Sequence, residues 1–517
     1  MASYLIAFDL GTGGNKAALY DSEGVCRAEA FAPYPTAYPH NGWHEQRPED
    51  WWQAVVASTR QLLSESGIAP DEIRACGISG HSLGAVPLDA AGRLLRASTP
   101  IWSDSRADLQ ARAFFDRIDP AEWYRITGNG FPAQLYTVFK ILWYRDNEAD
   151  LFRQARHIIG TKDYINLRLT GRIATDFSYV SGSGVYDLEK WAYSAALIDA
   201  AGLAPSLFPN PVPSNSIIGE LTREAAETLG LPQGIPVAAG GVDNACMALG
   251  AGCIRDGQVY NSQGSSSWIA VTTARPLLDV NTRPFVFAHV IPAMFTSAIG
   301  IFSTGSSLRW IRDQICVDLV AQAQADGVNV YDRMTALADT SPPGANGLIF
   351  HPNMAGGSSL DASPNLRGAF LNLDLGHTRA DMIRAALEGI ALQGRVALDA
   401  LRALAPIEAQ MLVVGGGSRS PLWRQIHADA YGMRIVKTAV DQQAAALGAA
   451  ALAAVGSGLW TNFERIAALH TLEGTADPDP IRAALYEQRL NIFRQAGAYL
   501  AGVGDQIAAY PRSQVPQ

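Results

Sequence analysis

The same local pattern, a strand followed by a small-residue turn and a second strand, occurs at the start of this chain and again near its middle. Residues 5–20 form the first copy, with a glycine-rich turn at 9–15, and residues 258–273 form the second, with a turn at 264–267. The recurrence predicts two domains of related construction, each beginning with a hairpin whose turn faces a shared cleft.

The length of the chain supports two domains, because one hydrophobic core rarely extends over 517 residues. After the first hairpin, helical and strand patterns alternate, beginning with a helix at 49–66 and a strand at 73–79. This alternation predicts the α/β class. We place the boundary within 236–257 and divide the chain into an N-terminal domain, 1–244, and a C-terminal domain, 245–517.

Charge and composition exclude several classes of function. The net charge of −9 and the pI of about 5.5 argue against a nucleic-acid or anionic-membrane partner, because both favour basic surfaces. The sequence has no apolar run long enough to span a bilayer, and the chain enters a strand pattern at its start without a signal peptide. The 5 cysteines form no CxxC pair. We expect a cytoplasmic protein with reduced thiols.

The DLGTGG sequence at residues 9–14 has the residue types that can hold a phosphate group. Glycines let backbone N–H groups approach an anion, and Thr12 adds a hydroxyl donor. Asp9 suits Mg²⁺ bound through water. A glycine-rich hairpin without a ligand explains the segment equally well. It is neither a P-loop nor a dinucleotide fingerprint, because a strand rather than a helix follows the turn.

Asp243 lies between a predicted strand, 236–239, and a predicted helix that runs through Leu249. Its carboxylate could cap that helix, which is a common function of aspartate at such a position. It could also accept the proton of a substrate hydroxyl, because phosphoryl transfer needs little besides positioning, charge neutralisation and a base. The segment alone favours the cap, whereas the segment together with the glycine-rich turns favours the base.

Three further small-residue segments could contact phosphate or a nucleotide. They are the second hairpin turn with Gly264 and Ser265, the segment 303–307 with Gly305, and the GGG turn with Gly416 and Gly417, which Ser420 follows as a predicted helix cap. A flexible turn or a helix-capping serine explains each of them about as well.

The loops after the strand at 73–79 carry candidates for contact with a sugar. They are His81, Ser82, Trp102 and Asp104. Sugars and polyols require side chains that match their hydroxyl groups and an aromatic face for their C–H edge. A structural histidine and a core tryptophan are the alternatives for His81 and Trp102.

In this order and spacing, the motifs resemble the FGGY family of carbohydrate kinases, especially its xylulokinase-like branch. The resemblance extends from about residue 4 to residue 456. Its fragments are DLGTG at 9–13, Trp102 with Asp104 and Arg106, the run 218–245 ending in GGVDNA, GSSLRW at 305–310, RGAF at 367–370, ALEG at 386–389, GGGSRSPLW at 415–423 and ALGAA at 446–450. The resemblance implies two RNase H-like domains of the actin/hexokinase type with a catalytic cleft between them.

The resemblance also implies a reaction, the transfer of the γ-phosphoryl group of ATP to a terminal hydroxyl of a ketose or polyol. Asp243 is the implied catalytic base, and Asp9 is the implied carboxylate on the Mg²⁺ side. The other implied contacts are Thr12 and Gly13 to the transferred phosphate, Gly264 and Ser265 to the other phosphates, Gly416 and Gly417 to the adenosine with Gly305 and Ser420 beside the nucleotide, and Asn244, Asp104, His81, Ser82 and Trp102 to the sugar.

Several positions depart from the family pattern. Residues 82–84 read Ser-Leu-Gly where xylulokinases typically have Met-His-Gly, and residues 357–360 read Gly-Ser-Ser-Leu in place of a Glu-Arg-Thr/Ser-Pro stretch. Residues 263–266 read Gln-Gly-Ser-Ser in place of Leu-Gly-Thr-Ser, and the Arg-Glu-Thr motif of glycerol kinases is absent at 80–83. These changes leave the sugar open.

Two alternatives to a xylulokinase-like enzyme follow from these departures. The first is a nucleotide-binding regulatory protein on an actin-like fold without sugar kinase activity, and the second is a glycerol-kinase-like enzyme. The expected partner is a small sugar or polyol, and a homodimer is also considered.

Overall fold

The computed structural model of the chain describes residues 3–441 and 443–510. The described chain forms two compact units, and each draws on separate stretches of sequence. The first unit comprises residues 3–256, 272–297 and 443–470, and the second comprises residues 257–271, 298–441 and 471–510. This arrangement differs from a single cut after residue 244, because three later stretches pack with the N-terminal part of the chain.

Each unit contains a large β-sheet. The strands of these sheets that are labelled here are, in chain order, β1 (Tyr4–Leu10), β2 (Gly14–Asp21), β3 (Cys26–Pro33), β4 (Ile73–Gly80), β5 (Ile217–Glu220), β6 (Pro236–Ala238), β7 (Gly241–Val242), β8 (Val259–Gln263), β9 (Ser267–Thr273), β10 (Gln410–Val414), β11 (Arg434–Thr438) and β12 (Leu472–Ala476). Other strands are Glu45–Gln46, Val86–Leu88, Thr99–Pro100, His157–Ile159, Thr175–Asp176, Tyr186–Asp187, Ala192–Tyr193, Pro211–Val212, Phe285–Ala288, Phe295–Ile301, Ile349–His351 and Ala369–Leu371.

Helices alternate with these strands. Those that pack on the sheets or border the turns are α1 (Pro48–Ser66), α2 (Thr161–Thr170), α3 (Asp243–Gly250), α4 (Gly305–Ile315), α5 (Arg379–Arg402), α6 (Pro421–Tyr431) and α7 (Ala444–Gly456). Other helices are Asp108–Phe115, Pro120–Thr127, Thr137–Asn147, Ala149–Gln154, Phe177–Val180, Ala195–Ala201, Arg223–Leu229, Val317–Asp326, Val330–Asp339, Arg465–Leu469 and Pro480–Ala509. None of the helices in the described chain is long and apolar enough to cross a membrane.

The sheet of the first unit has the order β5-β6-β4-β1-β2-β3, with β7 also paired to β4. Strands β1 and β2 are antiparallel and form the predicted first hairpin, whereas β4 lies parallel to β1 and β7 lies parallel to β4. The carboxyl ends of β1, β4 and β7 therefore lie at one edge, which is where ligand crevices of α/β sheets usually occur.

The second unit contains the predicted second hairpin, formed by the antiparallel strands β8 and β9. Strand β10 lies parallel to β8, β11 lies parallel to β10, and β12 closes this series in the antiparallel direction. The glycine-rich turn after β10 leads into α6, as its sequence predicts, and Ser420 caps that helix by accepting the N–H of Trp423 at 3.3 Å.

The core of the first unit lies on both faces of its sheet. Alternate side chains of β1, Ile6 and Phe8, join one apolar cluster with the tryptophans of α1. On β4, Gly77 faces α7, and a Cβ added to Gly77 would lie 2.0 Å from the carbonyl oxygen of Ala449. The alanine-rich helix α7 is buried along almost its whole length.

Glycines also let α7 and α3 approach each other closely. A Cβ on Gly448 would lie 2.0 Å from the carbonyl oxygen of Cys246, and a Cβ on Gly250 would lie 1.7 Å from that of Ala444. Backbone atoms cannot turn aside as the end of a side chain can, so these two helices have no room for a methyl group at their contact.

Gly448→Ala is therefore expected to destabilise the protein, although alanine is ordinarily the better helix former. We expect a loss of about 1–3 kcal/mol from overpacking, observed as a lower midpoint of thermal unfolding. Gly502→Ala is the matched control, because Gly502 is an exposed residue of the helix Pro480–Ala509 and a Cβ there has no described atom within 4 Å. A Gly448→Ala protein as stable as the control would show that α7 can move away from α3.

Candidate functional site

Asp9, Ser79 and Asp243 lie together at the carboxyl edge of the first sheet. Asp9 and Ser79 are register partners on the parallel strands β1 and β4, and Ser79 also pairs with Gly241 of β7. Ser79 Oγ donates to Asp9 Oδ1 at 2.8 Å. Asp243 follows β7 as the first residue of α3, so two adjacent strand ends and one helix start present two carboxylates at this edge.

The carboxyl group of Asp243 is more basic than an ordinary aspartate. Loss of hydration and the negative charge of Asp9 raise its pKa to about 7, and the N–H of Asn244, at 2.8 Å from Oδ1, acts in the opposite direction. Burial also raises the pKa of Asp9, whereas the Ser79 hydroxyl and the charge of Lys16 lower it. A carboxylate with a pKa near neutrality can accept a proton effectively at neutral pH.

The sequence allowed Asp243 two functions, a helix cap or a base. In the structure Val242 takes the N-cap position of α3, and Asp243 is the first helical residue. Its carboxylate accepts the N–H of the next residue, Asn244, so it contributes to the helix start without being the N-cap residue. The negative charge of Asp9, at the end of β1, acts on the same carboxylate. The function as a base stays a prediction.

The raised pKa predicts how an Asp243→Asn variant differs from the wild type in stability. The ordinary pKa is 3.8, so the folded state binds a proton more tightly than the unfolded state, and the resulting stabilisation is complete below about pH 4 and is lost as the pH rises through about 7. Asparagine does not titrate. The measured quantity is the melting temperature of the variant minus that of the wild type, in metal-free buffer. We expect this difference to be more positive at pH 8 than at pH 5. A difference that does not change with pH would contradict the raised pKa of Asp243.

The tip of the β1–β2 hairpin is held by polar side chains of the first unit. The indole N–H of Trp102 donates to Thr12 Oγ1 at 2.9 Å, and Gln46 Nε2 donates to the carbonyl oxygen of Thr12 at 2.7 Å. Trp51 in turn donates to Gln46 at 2.9 Å. A Cβ on Gly13 would have no atom of the described chain within 4 Å, so the turn is open on that side. Backbone N–H groups of the turn can bind an anion on that side.

The four sugar-contact candidates differ in their exposure. Trp102 is 37% exposed and lies beside the hairpin tip, whereas Ser82 is 7% exposed. His81 is buried edge-on to Trp51, with Nδ1 at 3.1 Å from the hydroxyl of Thr161. Burial and the charge of Lys140 lower the pKa of His81 to about 3, so its ring is neutral.

Asp104 is buried completely and is occupied by protein contacts. It is 0% exposed, and it accepts two hydrogen bonds from the guanidinium of Arg106, at 2.9 and 2.8 Å, and the backbone N–H of His44 at 2.6 Å. This arrangement holds two loops together. Contact of His81, Ser82, Trp102, Asp104 and Asn244 with a sugar stays a prediction.

Lys140 connects the loops that carry these candidates, and the sequence analysis missed it. Its buried ammonium donates to the carbonyl oxygens of Leu83, Ile101 and Leu135 at 2.7–2.8 Å. Burial lowers the pKa of Lys140 to about 7. A single lysine inside the apolar run TVFKILWY at 137–144 is the sequence pattern that could have revealed it.

The second unit contains an open cavity of about 360 Å³. All the nucleotide and phosphate candidates of this unit line it, namely Gly264, Ser265, Gly305, Gly416, Gly417 and Ser420. The cavity is also lined by residues to which the sequence analysis assigned no ligand contact, among them Leu308, Arg309, Tyr331 and Trp423. Glycine backbone, apolar side chains and a guanidinium around one opening suit a ligand with a flat ring and an anionic group.

The turn of the second hairpin is fixed on the start of α4. The N–H groups of Gly305 and Ser306 donate to the carbonyl oxygens of Gly264 and Ser265 at 3.0 and 2.9 Å. A Cβ on Gly305 would lie 2.4 Å from the oxygen of Gly264, which explains a glycine at that position. Arg309 Nη2 donates to Ser265 Oγ at 3.2 Å and so places a positive charge beside the turn.

The GGG turn forms the opposite lining of this cavity. Gly415 has φ +94° and donates its N–H to Asp441 Oδ1 at 2.6 Å. A Cβ on Gly417 would meet the side chains of Gln263 and Trp423 at 2.6 and 2.9 Å, whereas one on Gly416 would meet no described atom within 4 Å. Gly416 therefore faces open space.

The acidic pair of the first unit fits Mg²⁺ held largely through water. Within residues 3–441 and 443–510, no group of three or more His, Cys, Asp or Glu side chains is arranged to hold a metal. Mg²⁺ does not need one, because it commonly binds one or two carboxylates, several waters and substrate phosphates. Repulsion between Asp9 and Asp243 contributes to the raised pKa of Asp243, and a cation beside the pair would relieve that repulsion.

Comparison with known proteins assigns both halves of the chain to the same family. The N-terminal domain of the FGGY family of carbohydrate kinases matches residues 4–250, and the C-terminal domain matches residues 259–457. Xylulose kinase of Bacillus subtilis (strain 168) is 29% identical over 473 residues, 92% of each chain. Autoinducer-2 kinase of Escherichia coli (strain K12) is 31% identical over 500 residues, 94% of this chain and 92% of that protein.

A solved structure extends the comparison to the fold. The crystal structure of xylulose kinase from Rhodospirillum rubrum superposes with a TM-score of 0.88 at 28% identity, covering 97% of this chain and 100% of that one.

Proposed function

The chain belongs to the FGGY family of carbohydrate kinases, and we propose that it transfers the γ-phosphoryl group of ATP to a terminal hydroxyl of a ketose, with a xylulose-like pentulose as the first candidate. It is a phosphotransferase with an alcohol group as acceptor. Relatives named for xylulose and for autoinducer-2 are 29% and 31% identical to it, so identity alone does not select the sugar.

The observation that carries the proposal is the position of Asp243 beside Asp9, at the carboxyl edge of the first sheet, with a pKa of about 7. In the proposed reaction the Asp243 carboxylate accepts the proton of the attacking hydroxyl, that oxygen bonds to the γ-phosphorus, and the bond from phosphorus to the ADP oxygen breaks. Bound Mg²⁺ neutralises charge on the phosphate oxygens in reactions of this class.

The remaining residues orient the two substrates. We assign the transferred phosphoryl group to the Thr12 hydroxyl and the Gly13 N–H, because the hairpin tip has a donor pair and an open side. We assign the nucleotide to the cavity of the second unit, with Gly416 and Gly417 on the adenosine and Gly264 and Ser265 on the phosphates. Arg309 adds a charge next to Ser265 that suits a phosphate group. Asp9 would hold Mg²⁺ through water.

A coupled ADP-release assay with a panel of acceptors tests the proposal. The panel contains pentuloses, hexuloses, gluconate and glycerol, each with ATP and Mg²⁺. We expect the highest kcat/KM with a pentulose. A preference for glycerol or gluconate over every ketose would overturn the ketose assignment, and ATP hydrolysis that no acceptor stimulates would favour a nucleotide-binding regulatory protein.

A further inference from the structure

The segment 239–243, which leads from β6 to Asp243, is held by side chains that arrive from a distant part of the sequence. Gly240 has φ +71°, and a Cβ on it would lie 2.1 Å from the carbonyl oxygen of Ile78, so only glycine fits this bend. The carbonyl oxygen of Ala239 accepts from Asn166 Nδ2 at 2.8 Å and from Lys162 Nζ at 3.3 Å. Both donors lie on α2.

The residue immediately before Asp243 is held by Ser178. The backbone N–H of Val242 donates to Ser178 Oγ at 2.9 Å, and Ser178 Oγ donates to Asp176 Oδ2 at 2.5 Å. Asp176 and Ser178 are both 0% exposed. The serine hydroxyl therefore supplies an acceptor for this N–H at the junction of β7 and α3.

Asp176 fixes the direction of the Ser178 hydroxyl. Asp176 Oδ2 accepts the Ser178 hydroxyl, so the hydroxyl proton points toward Asp176 and a lone pair is left for the Val242 N–H. The Asp176 carboxylate is itself held by Lys162 Nζ, at 2.9 Å from Oδ1, and by the Ser214 hydroxyl, which donates to Oδ2 at 2.7 Å. Asp176 is also the N-cap of the helix Phe177–Val180, so it has a structural function as well.

The direction of the Asp243 carboxylate depends on the backbone that precedes it. Its carboxylate is hydrogen-bonded to the N–H of Asn244, within its own helix start. A small rotation of the peptide at Val242 would therefore turn the carboxylate away from the hydroxyl that it is proposed to deprotonate. A displacement of about 1 Å at a reacting group can lower a rate about 100-fold.

We propose that Ser178 is a positioning residue for Asp243, acting through the N–H of Val242, with Asp176 orienting its hydroxyl. The inference rests on the proposed function of Asp243 as the base. It assigns the buried 176–178 turn a part in phosphoryl transfer, although it lies more than sixty residues before Asp243 in the sequence.

Ser178→Ala tests the inference by removing the acceptor of the Val242 N–H. We expect kcat with the best ketose to fall about 10- to 100-fold, while the KM for ATP stays within about twofold of wild type. Ser181→Ala is the matched control, because the buried Ser181 hydroxyl donates to the carbonyl oxygen of Ser178 at 2.7 Å in the same turn. This control is expected to keep kcat within about threefold of wild type. Equal losses in the two variants would identify a scaffold effect and overturn the inference.

A double-mutant cycle separates this inference from the proposed function. If Ser178 acts through Asp243, Ser178→Ala has no further effect on single-turnover phosphorylation in an Asp243→Asn background. A full further loss there would mean that Ser178 acts elsewhere. Normal turnover of Asp243→Asn alone would refute the base itself, whereas an inactive Asp243→Asn protein with a fully active Ser178→Ala protein would refute only the positioning.

Discussion

Asp243→Asn is expected to lower kcat by about three orders of magnitude, because the attacking hydroxyl loses the group that accepts its proton. The side chain keeps its shape and can still accept the N–H of Asn244, so the start of α3 is retained. The measurement is ADP release with saturating ketose and ATP, supported by a thermal unfolding curve that shows a folded protein.

Asp119→Asn is the matched control for this prediction. Asp119 is the N-cap of the helix Pro120–Thr127 in the same unit, and it accepts the N–H groups of Ala121 and Glu122 at 2.9 Å. If Asp243 served only its helix start, the two variants would have similar activity. We expect Asp119→Asn to lose little stability, because asparagine caps a helix about as well as aspartate, and to keep its turnover. An Asp243→Asn enzyme with near wild-type kcat would refute the base assignment.

Gly416→Val is expected to raise the KM for ATP about 10- to 100-fold with little change in the KM for the sugar. A Cβ at Gly416 meets nothing within 4 Å in the described chain, so the protein itself has room for the larger residue. The new side chain would occupy the cavity that we assign to the nucleotide. Initial rates at varied ATP and fixed sugar measure the effect.

Gly502→Val is the control for this substitution. Gly502 lies in the same unit, its added Cβ would also have no described neighbour within 4 Å, and it is not among the residues that line the cavity. We expect Gly502→Val to leave both KM values unchanged and both variants to remain folded. An unchanged KM for ATP in Gly416→Val would show that the nucleotide does not bind at the GGG turn.

The elements that local sequence determines were predicted well. Both hairpins, the helix predicted at 49–66 and the cap at Ser420 depend on turn residues and on apolar spacing within a few residues, and the structure confirms them. The family and the two-domain α/β fold are likewise confirmed, because many short motifs in a fixed order are specific together even where each is weak.

The contacts that support the site were not predictable from local pattern. Ser178 meets Val242 only because the chain folds back on itself, and its segment does not differ in composition from an ordinary buried turn. The apolar run around Lys140 indicates a buried lysine, but not its contact with Leu83. For the same reason the sequence could not show that Asp104 is enclosed by Arg106 and His44. The position of Asp104 in a loop after a strand predicted the region in which it lies, but not that it is buried.

The contribution of α7 to the first unit has a consequence for biosynthesis. A nascent chain that has left the ribosome up to residue 440 contains β1 and β4 but not the helix that packs on them, since α7 spans Ala444–Gly456. The sheet of the first unit therefore stays partly uncovered until most of the polypeptide has been translated. A fragment expressed as residues 1–244 would keep that uncovered surface permanently, and we expect it to aggregate or to require a chaperone.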